Sequence, residues 1–324
     1  MRAPDAEVHA SVAARRRTER FPNGEHGGGT LAGECDTEGV TAPATSTFLL
    51  ESGGFQVGEF RCAPGHPLWR QLNDNIGPRP HLVFPQTSVY IEQGAFGRVL
   101  ATPNHVVFYP SHELYRRELH DPRGDVSLFV TVEPPLFETV AGKAIGPLGA
   151  SDAVTYLTVQ LLARHLRREP KHDRLLAEEV LHRLVRRASL QHAVRRQPAR
   201  RTTRRCHREL VEAAKELLTR RLRERLSLGD LARELHTSPF HLSRVFREST
   251  GFSLHDYRIN LRLRRSLELL ADPDADLTRI AHELGFSSLS HFSGSFRVKF
   301  GLAPSVVRNP ELSKILEARL AAAS

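Results

Sequence analysis

The sequence predicts a multidomain α+β chain. A β-rich N-terminal barrel or sandwich followed by helices precedes an all-α C-terminal domain, in which two helix-turn-helix units are joined by a linker helix. Three observations predict this. A block at Leu228–Gly251 recurs at Leu277–Gly301, the stretch between the copies has one apolar helical stripe, and short β-rich runs fill residues 47–140. The expected layout is a tail over 1–46, a β domain over 47–140, a helical dimerisation or packing segment over 141–192, a basic linker over 193–206, the double unit over 207–310 and a tail over 311–324.

Residues 1–46 are rich in Gly, Ala, Thr and charge, with GEHGGGTLAGE at their centre, and are predicted to be disordered. No apolar core follows the early arginines, so no signal peptide is expected. The runs Thr47–Arg61, His81–Gln93, Gly97–Pro110 and Val126–Glu133 read as strands, separated by Gly, Pro, Asn and Asp turns. In the last, Val126, Leu128, Val130 and Val132 alternate cleanly. Many short strands suggest a small barrel or sandwich. Two assignments fit Phe84, Tyr90, Val107, Phe108 and Phe129: the lining of an apolar effector pocket, or the side chains that fill the core.

From Ser151 to His192 the pattern turns helical. Val154, Leu157, Leu161, Leu162 and Leu166 form one stripe; Leu175, Leu176, Val180, Leu181, Leu184 and Val185 form another, with Pro170 between. Such stripes bury either on the β domain or on a second copy of the chain. Between Arg183 and Arg208 arginine recurs and no acid occurs. That run suits a solvated linker and equally a sequence-independent attraction to DNA.

In the first repeat, Leu228, Leu231, Ala232 and Leu235 make one apolar face. Ser238 is placed to cap the next helix, Pro239 stands at its first position, Leu242, Val245 and Phe246 form its buried side, and Gly251 ends it. Phe240, His241, Ser243, Arg244 and Arg247 are left facing outward, able to touch base edges, methyl groups and phosphates. The second repeat follows the plan. Ile280, Ala281 and Leu284 form the stripe, Gly285 and Phe286 the turn, Ser287 or Ser288 the cap, and Phe292 and Phe296 the core pair. Its outward face is Leu289, Ser290, Ser293 and Gly294, then Arg297 and Lys299.

Between the units, Ser253–Leu270 reads as a helix about 27 Å long, close to the ~34 Å between successive major-groove faces. Ile259, Leu263, Leu267 and Leu270 form its stripe, Tyr257 and Leu261 lie on a different face, and Arg258, Arg262 and Arg265 share a basic one.

Residues 207–310 resemble the DNA-binding domain of the AraC/XylS family of bacterial transcription regulators. The resemblance is carried by SPFHLSRVFRESTG, YRINLRLRRSLELL and LTRIAHELGFSSLSHFSGSFRVKFGLAPS. Many members carry arginine where this chain has Gly294, which weakens base reading by the second unit. PHLVFPQTSVYI and TPNHVVFYPSHELYRREL resemble the cupin-like sensor domain of the same family. The resemblance implies double-stranded promoter or operator DNA as partner, with RNA polymerase, a small-molecule effector and a second copy of the chain as further partners.

Composition agrees. The 324 residues carry a formal net charge of +9, which favours an anionic partner. The three cysteines, Cys35, Cys62 and Cys206, lie far apart and suggest neither a disulfide framework nor a zinc site. No apolar run approaches the ~18 residues of a membrane span, so the cytoplasm is expected and no membrane partner. His66, His81, His105, His112 and His120 fall in or near the strands without a His-x-His pair, so no metal and no cofactor is expected. No G-x-S-x-G, phosphate-binding loop or paired carboxylates in a catalytic frame occur, and the chain is not expected to be an enzyme. Two other assignments remain: a metal-dependent cupin enzyme with a DNA-binding tail, and a degenerate member acting as a protein-interaction module.

Overall fold

The computed structural model describes residues 44–74, 76–94, 97–141, 148–169, 173–193, 201–308 and 314–315. The expected N-terminal tail lies outside them except for residues 44–46, which open the first strand. The expected linker lies outside them at 194–200, and the C-terminal tail except at 314–315.

The strands are β1 (Ala44–Ser52), β2 (Phe55–Cys62), β3 (Leu72–Asn73), β4 (His81–Pro85), β5 (Val89–Gln93), β6 (Gly97–Ala101), β7 (His105–Tyr109), β8 (Tyr115–Leu119), β9 (Asp125–Val132) and β10 (Leu148–Ala150). They pair as one sheet in the order β1-β2-β9-β4-β7-β10 and a second in the order β3-β8-β5-β6. Every ladder is antiparallel. No ladder joins the two sheets among the described residues, so the strands form two sheets and not a closed barrel.

Three of the four predicted runs each hold two strands. Thr47–Arg61 turns at Gly53 and Gly54, whose φ values of 55° and 79° suit glycine. His81–Gln93 breaks before Ser88, and Gly97–Pro110 breaks at Thr102–Asn104. The breaks fall at Gly53-Gly54, Gln86-Thr87-Ser88 and Thr102-Pro103-Asn104, turn-forming or polar residues inside the predicted runs.

β7 is buried at all five positions because the larger sheet is covered on both faces. Val106 and Phe108 enter a core shared with helices, whereas Val107 and Tyr109 enter an apolar cluster with Ile91, Ala101 and Tyr115 of the smaller sheet. Strand alternation forces this split. A buried ion pair completes the space between the sheets. Arg117 meets Asp125 at 3.0 Å, and its guanidinium lies 4.2 Å from the centre of the Phe60 ring.

The helices are α1 (Pro134–Ala141), α2 (Ala153–Arg168), α3 (Arg174–Ala193), α4 (Arg201–Arg220), α5 (Leu228–Glu234), α6 (Pro239–Thr250), α7 (Leu254–Leu269), α8 (Leu277–Glu283), α9 (Leu289–Phe300) and α10 (Pro304–Arg308). Most of both stripes predicted for 151–192 is buried within this chain, in one cluster with the larger sheet; Val154 and Leu176 are half-buried and Leu175 is exposed. α2 is buried from Tyr156 and Leu157 to Leu166 on most sides, because it also packs against α7 and α9. No described helix is long and apolar enough to cross a membrane.

α7 spans two cores. Ile259, Leu263, Leu267 and Leu270 join the large cluster with Phe292, Phe296 and Phe300 of α9. Leu254, Tyr257 and Leu261 join a separate cluster with Val211, Ala214 and Leu218 of α4 and with Leu242, Val245 and Phe246 of α6. The two faces assigned from spacing are therefore the two faces the fold uses.

Candidate nucleic-acid interface

The first helix pair is fixed by its caps. Ser227 and Asp230 form a reciprocal capping box at the head of α5, with both Ser227 N–H to Asp230 and Asp230 N–H to Ser227 at 3.1 Å. The sequence reading missed this box because it began the unit one residue later. Ser238 caps α6 by accepting the His241 N–H at 3.2 Å, Pro239 opens the helix, and Gly251 closes it at φ 75°. Leu242, Val245 and Phe246 are buried beneath. Phe240, Arg244 and Arg247 are exposed, with His241 and Ser243 half-buried at their flanks. The Arg244 guanidinium reaches Glu248 only at 3.4 Å across exposed surface, a contact worth a few tenths of a kcal/mol.

The second pair repeats the chemistry. Asp276 caps α8, Ser288 caps α9 through the His291 N–H at 3.1 Å, and Gly301 ends α9 at φ 73°. Gly285 stands at φ 77°, where a Cβ would come within 2.4 Å of the Arg223 carbonyl. Ser290, Gly294 and Arg297 are exposed and Ser293 is half-buried. Two expected contacts are partly engaged elsewhere. Leu289 packs against the large core, and Lys299 pairs with Asp256 of α7 at 3.1 Å. Val298, 82% exposed on α9, was not singled out from the sequence.

The arginines of α7 do not form the outward basic face that their spacing suggests. Arg262 donates to the carbonyls of Leu222 at 2.8 Å, Glu224 at 3.0 Å and Gly285 at 2.7 Å. Arg258 reaches the Leu226 carbonyl at 3.2 Å, and Arg265 pairs with Glu268. Burial, reinforced by the neighbouring Arg258 charge, lowers the Arg262 guanidinium to about 10. Carbonyls left open at the loop before α5 and at the end of α8 draw these side chains inward.

Residues 231–310 match the family model described as a helix-turn-helix domain. The Msm operon regulatory protein of Streptococcus mutans is 33% identical over 98 residues, which are 30% of this chain and 35% of that protein. The transcriptional activator RhaS of Pectobacterium atrosepticum is 33% identical over 107 residues, 33% of this chain and 38% of that one. A crystal structure of an AraC-type transcriptional regulator from Chromobacterium violaceum is 31% identical, covers 31% of this chain and 89% of its own, and superposes with a TM-score of 0.29. Residues 231–310 form an AraC-type helix-turn-helix domain. The chain spans about a third of the length of the two curated relatives.

α4, which precedes the AraC-type domain, and α7 within it are held to the sheets by polar contacts. On α4, Glu212 accepts the Leu100 N–H at 2.6 Å and Lys215 donates to the Leu100 carbonyl at 3.1 Å, satisfying the open edge of β6. Glu216 accepts from the Tyr90 hydroxyl at 2.6 Å, and Thr219 bonds His120 at 2.8 Å. On α7, the Tyr257 hydroxyl meets Thr102 at 2.7 Å and its carbonyl accepts from Asn104 at 2.9 Å. Arg264, fully buried, donates to the carbonyls of Pro103 and Ser151, with its guanidinium 4.5 Å from the Tyr156 ring centre.

The five residues considered for an effector pocket lie in different surroundings. Phe84 and Phe108 lie in the helix-side core and Val107 between the sheets. Phe129 meets Phe48 and His81, while Tyr90 faces α4. Val107 and Phe108, neighbours on β7, face opposite sides of their sheet. A cleft of about 640 Å³ opens instead where the sheets meet the AraC-type domain, among Pro103, His120, Arg123, Leu222, Arg265 and Leu284. No cluster of three metal-ligating side chains occurs among the described residues.

Proposed function

We propose that this chain is a DNA-binding transcription regulator that reads double-stranded promoter or operator DNA with α6 and α9. One observation carries the reading. Two helices with the same serine cap and the same glycine stop each bury an apolar side and present a polar one, and both pairs are fastened to a single linker helix through Arg262. Exposed side chains on a rigid helix are suited to base edges, and the positive charge supplies the backbone attraction.

In this reading Arg244 takes a base edge, with Phe240, His241 and Ser243 beside it, and Arg247 takes phosphate. On α9, Ser290 and Ser293 give a weaker base preference while Arg297 anchors phosphate; Leu289 and Lys299 act mainly in packing. The site is therefore lopsided, with its better-defined half under α6.

The two-sheet module serves as a cupin-like sensor. Its contacts with α4 and α7 give it leverage on the spacing of the reading helices, and the cleft at that junction is the place for a small effector. Dimerisation and contact with RNA polymerase complete the regulator. Selection of binding sites from random duplex DNA by the full chain tests the proposal. A defined motif is expected, and recovery of no motif contradicts it.

A further inference from the structure

We propose that the head of α4 extends the DNA interface, with Arg205 and Arg208 holding the phosphate backbone that flanks the half-site under α6. The inference rests on the DNA-binding reading above and adds a surface outside both helix pairs.

The sequence places Arg201, Arg204, Arg205 and Arg208 at the i, i+3, i+4, i+7 positions of α4, with Glu209 the one acid among residues 201–209. Those positions share one side of a helix. The structure divides that helix into two working sides. Val211, Ala214 and Leu218 pack against the first helix pair. Glu212, Lys215, Glu216 and Thr219 bond the sheets. The arginine positions continue the sheet-facing side toward the N-terminus, and Arg205 and Arg208 are exposed there. This side of α4 thus changes from a protein-bound stretch to an exposed, positively charged one at Arg205 and Arg208.

Continuity with the reading face comes from His207. Its ring lies 5.5 Å from the ring of His241, in the first turn of α6 beside the Ser238 cap and the exposed Phe240. The head of α4 therefore abuts the head of α6. Arg205 currently pairs with Glu209 at 2.9 Å, but the two side chains are 84% and 62% exposed. Water screens such a pair strongly, so the guanidinium can exchange it for a phosphate. A polyanion with regularly spaced charges is the partner this surface fits.

The test is the salt dependence of binding by the full chain to its selected duplex with flanking base pairs, between ~50 and ~200 mM salt. Each lost phosphate contact lowers the slope of log K against log[salt] by ~0.9, so R205A/R208A is expected to lower it by ~1.8. Its affinity should fall equally on selected and scrambled duplexes, with base preference unchanged. R205K/R208K should restore the slope, because phosphate accepts a point charge as well as a fork. R205Q/R208Q, which keeps long polar side chains, should behave as the alanine pair does. Circular dichroism and the thermal midpoint should match wild type in all three. A slope unchanged by the neutral pairs overturns this surface and leaves the helix pairs as the reader. A loss confined to one base pair, or a lysine pair as weak as the alanine pair, overturns it too. A wild-type chain that binds no duplex overturns the DNA-binding reading and this surface with it.

Discussion

The Arg262 guanidinium and the Gly285 carbonyl meet at 2.7 Å, so the linker helix holds the turn of the second helix pair directly. The same guanidinium holds the Leu222 and Glu224 carbonyls, just before the first pair. One side chain thus fixes both pairs to one helix. Arg262→Ala leaves the Leu222 and Gly285 carbonyls without their charged donor, and the Glu224 carbonyl with only Arg258 at 3.4 Å. It should destabilise the chain by about 3 kcal/mol, measured as a lower urea midpoint. Arg262→Lys keeps the charge but loses the fork, and should recover less than half of that. An alanine variant as stable as wild type would show that water replaces the guanidinium.

Two glycines of the second pair should respond oppositely to alanine. At Gly285 a Cβ would approach the Arg223 carbonyl to 2.4 Å at φ 77°, so Gly285→Ala should cost at least about 2 kcal/mol. Gly294 has open space around it inside α9, so Gly294→Ala should stabilise by about 0.5–1 kcal/mol. Gly294→Arg should add a base preference in the weaker half-site. A Gly294→Arg chain that binds DNA less well would show that the glycine admits the duplex closely.

The buried pair Arg117–Asp125 makes a third prediction. Asp125→Ala strands a guanidinium between two sheets, a loss on the order of 3–5 kcal/mol. Replacing both partners, as in Arg117→Met with Asp125→Ala, should recover part of it. Thermal melts of the three variants decide. If the double variant is the least stable, the pair itself and not the stranded charge carries the energy.

Acid should weaken the fold through histidine. Burial lowers both His81 and His120 from the ordinary 6.5, against hydrogen bonding at His81 and the Glu216 charge near His120. Below pH 6.5 the unfolded chain then binds protons that the folded chain refuses. Their contribution is fully present above that value and declines as pH falls toward the depressed folded values. Urea midpoints at pH 7.5 and at about pH 5.5 should differ for wild type and differ less for H81Q/H120Q. An equal drop in both would assign the acid sensitivity to carboxylates.

Much of the C-terminal architecture was legible because caps, turn glycines and apolar spacing are local signals. Ser238 and Gly251 stand where the spacing put them, Gly301 repeats Gly251, and of the two serines left open at the second cap Ser288 takes the place. What the sequence hid is non-local. Arg258, Arg262 and Arg265 read as one basic face, yet carbonyls on other elements draw Arg258 and Arg262 inward and Arg265 pairs with Glu268. β8 escaped notice because its exposed Arg116 and partly exposed Glu118 broke the apolar pattern. Which of Phe84, Tyr90, Val107, Phe108 and Phe129 lie together was hidden for a similar reason, since one strand serves two cores and periodicity does not say which residue faces which.

The central claim is that α6 reads bases through Arg244. Sites should be selected from random duplex DNA by the full chain, once as wild type and once as Arg244→Ala. The wild type should return a defined half-site, and the variant should lose preference at one or two base pairs, about 1–3 kcal/mol each, with an unchanged salt slope. Recovery of the same motif by both proteins, or a uniform loss of affinity on every sequence, would contradict the account.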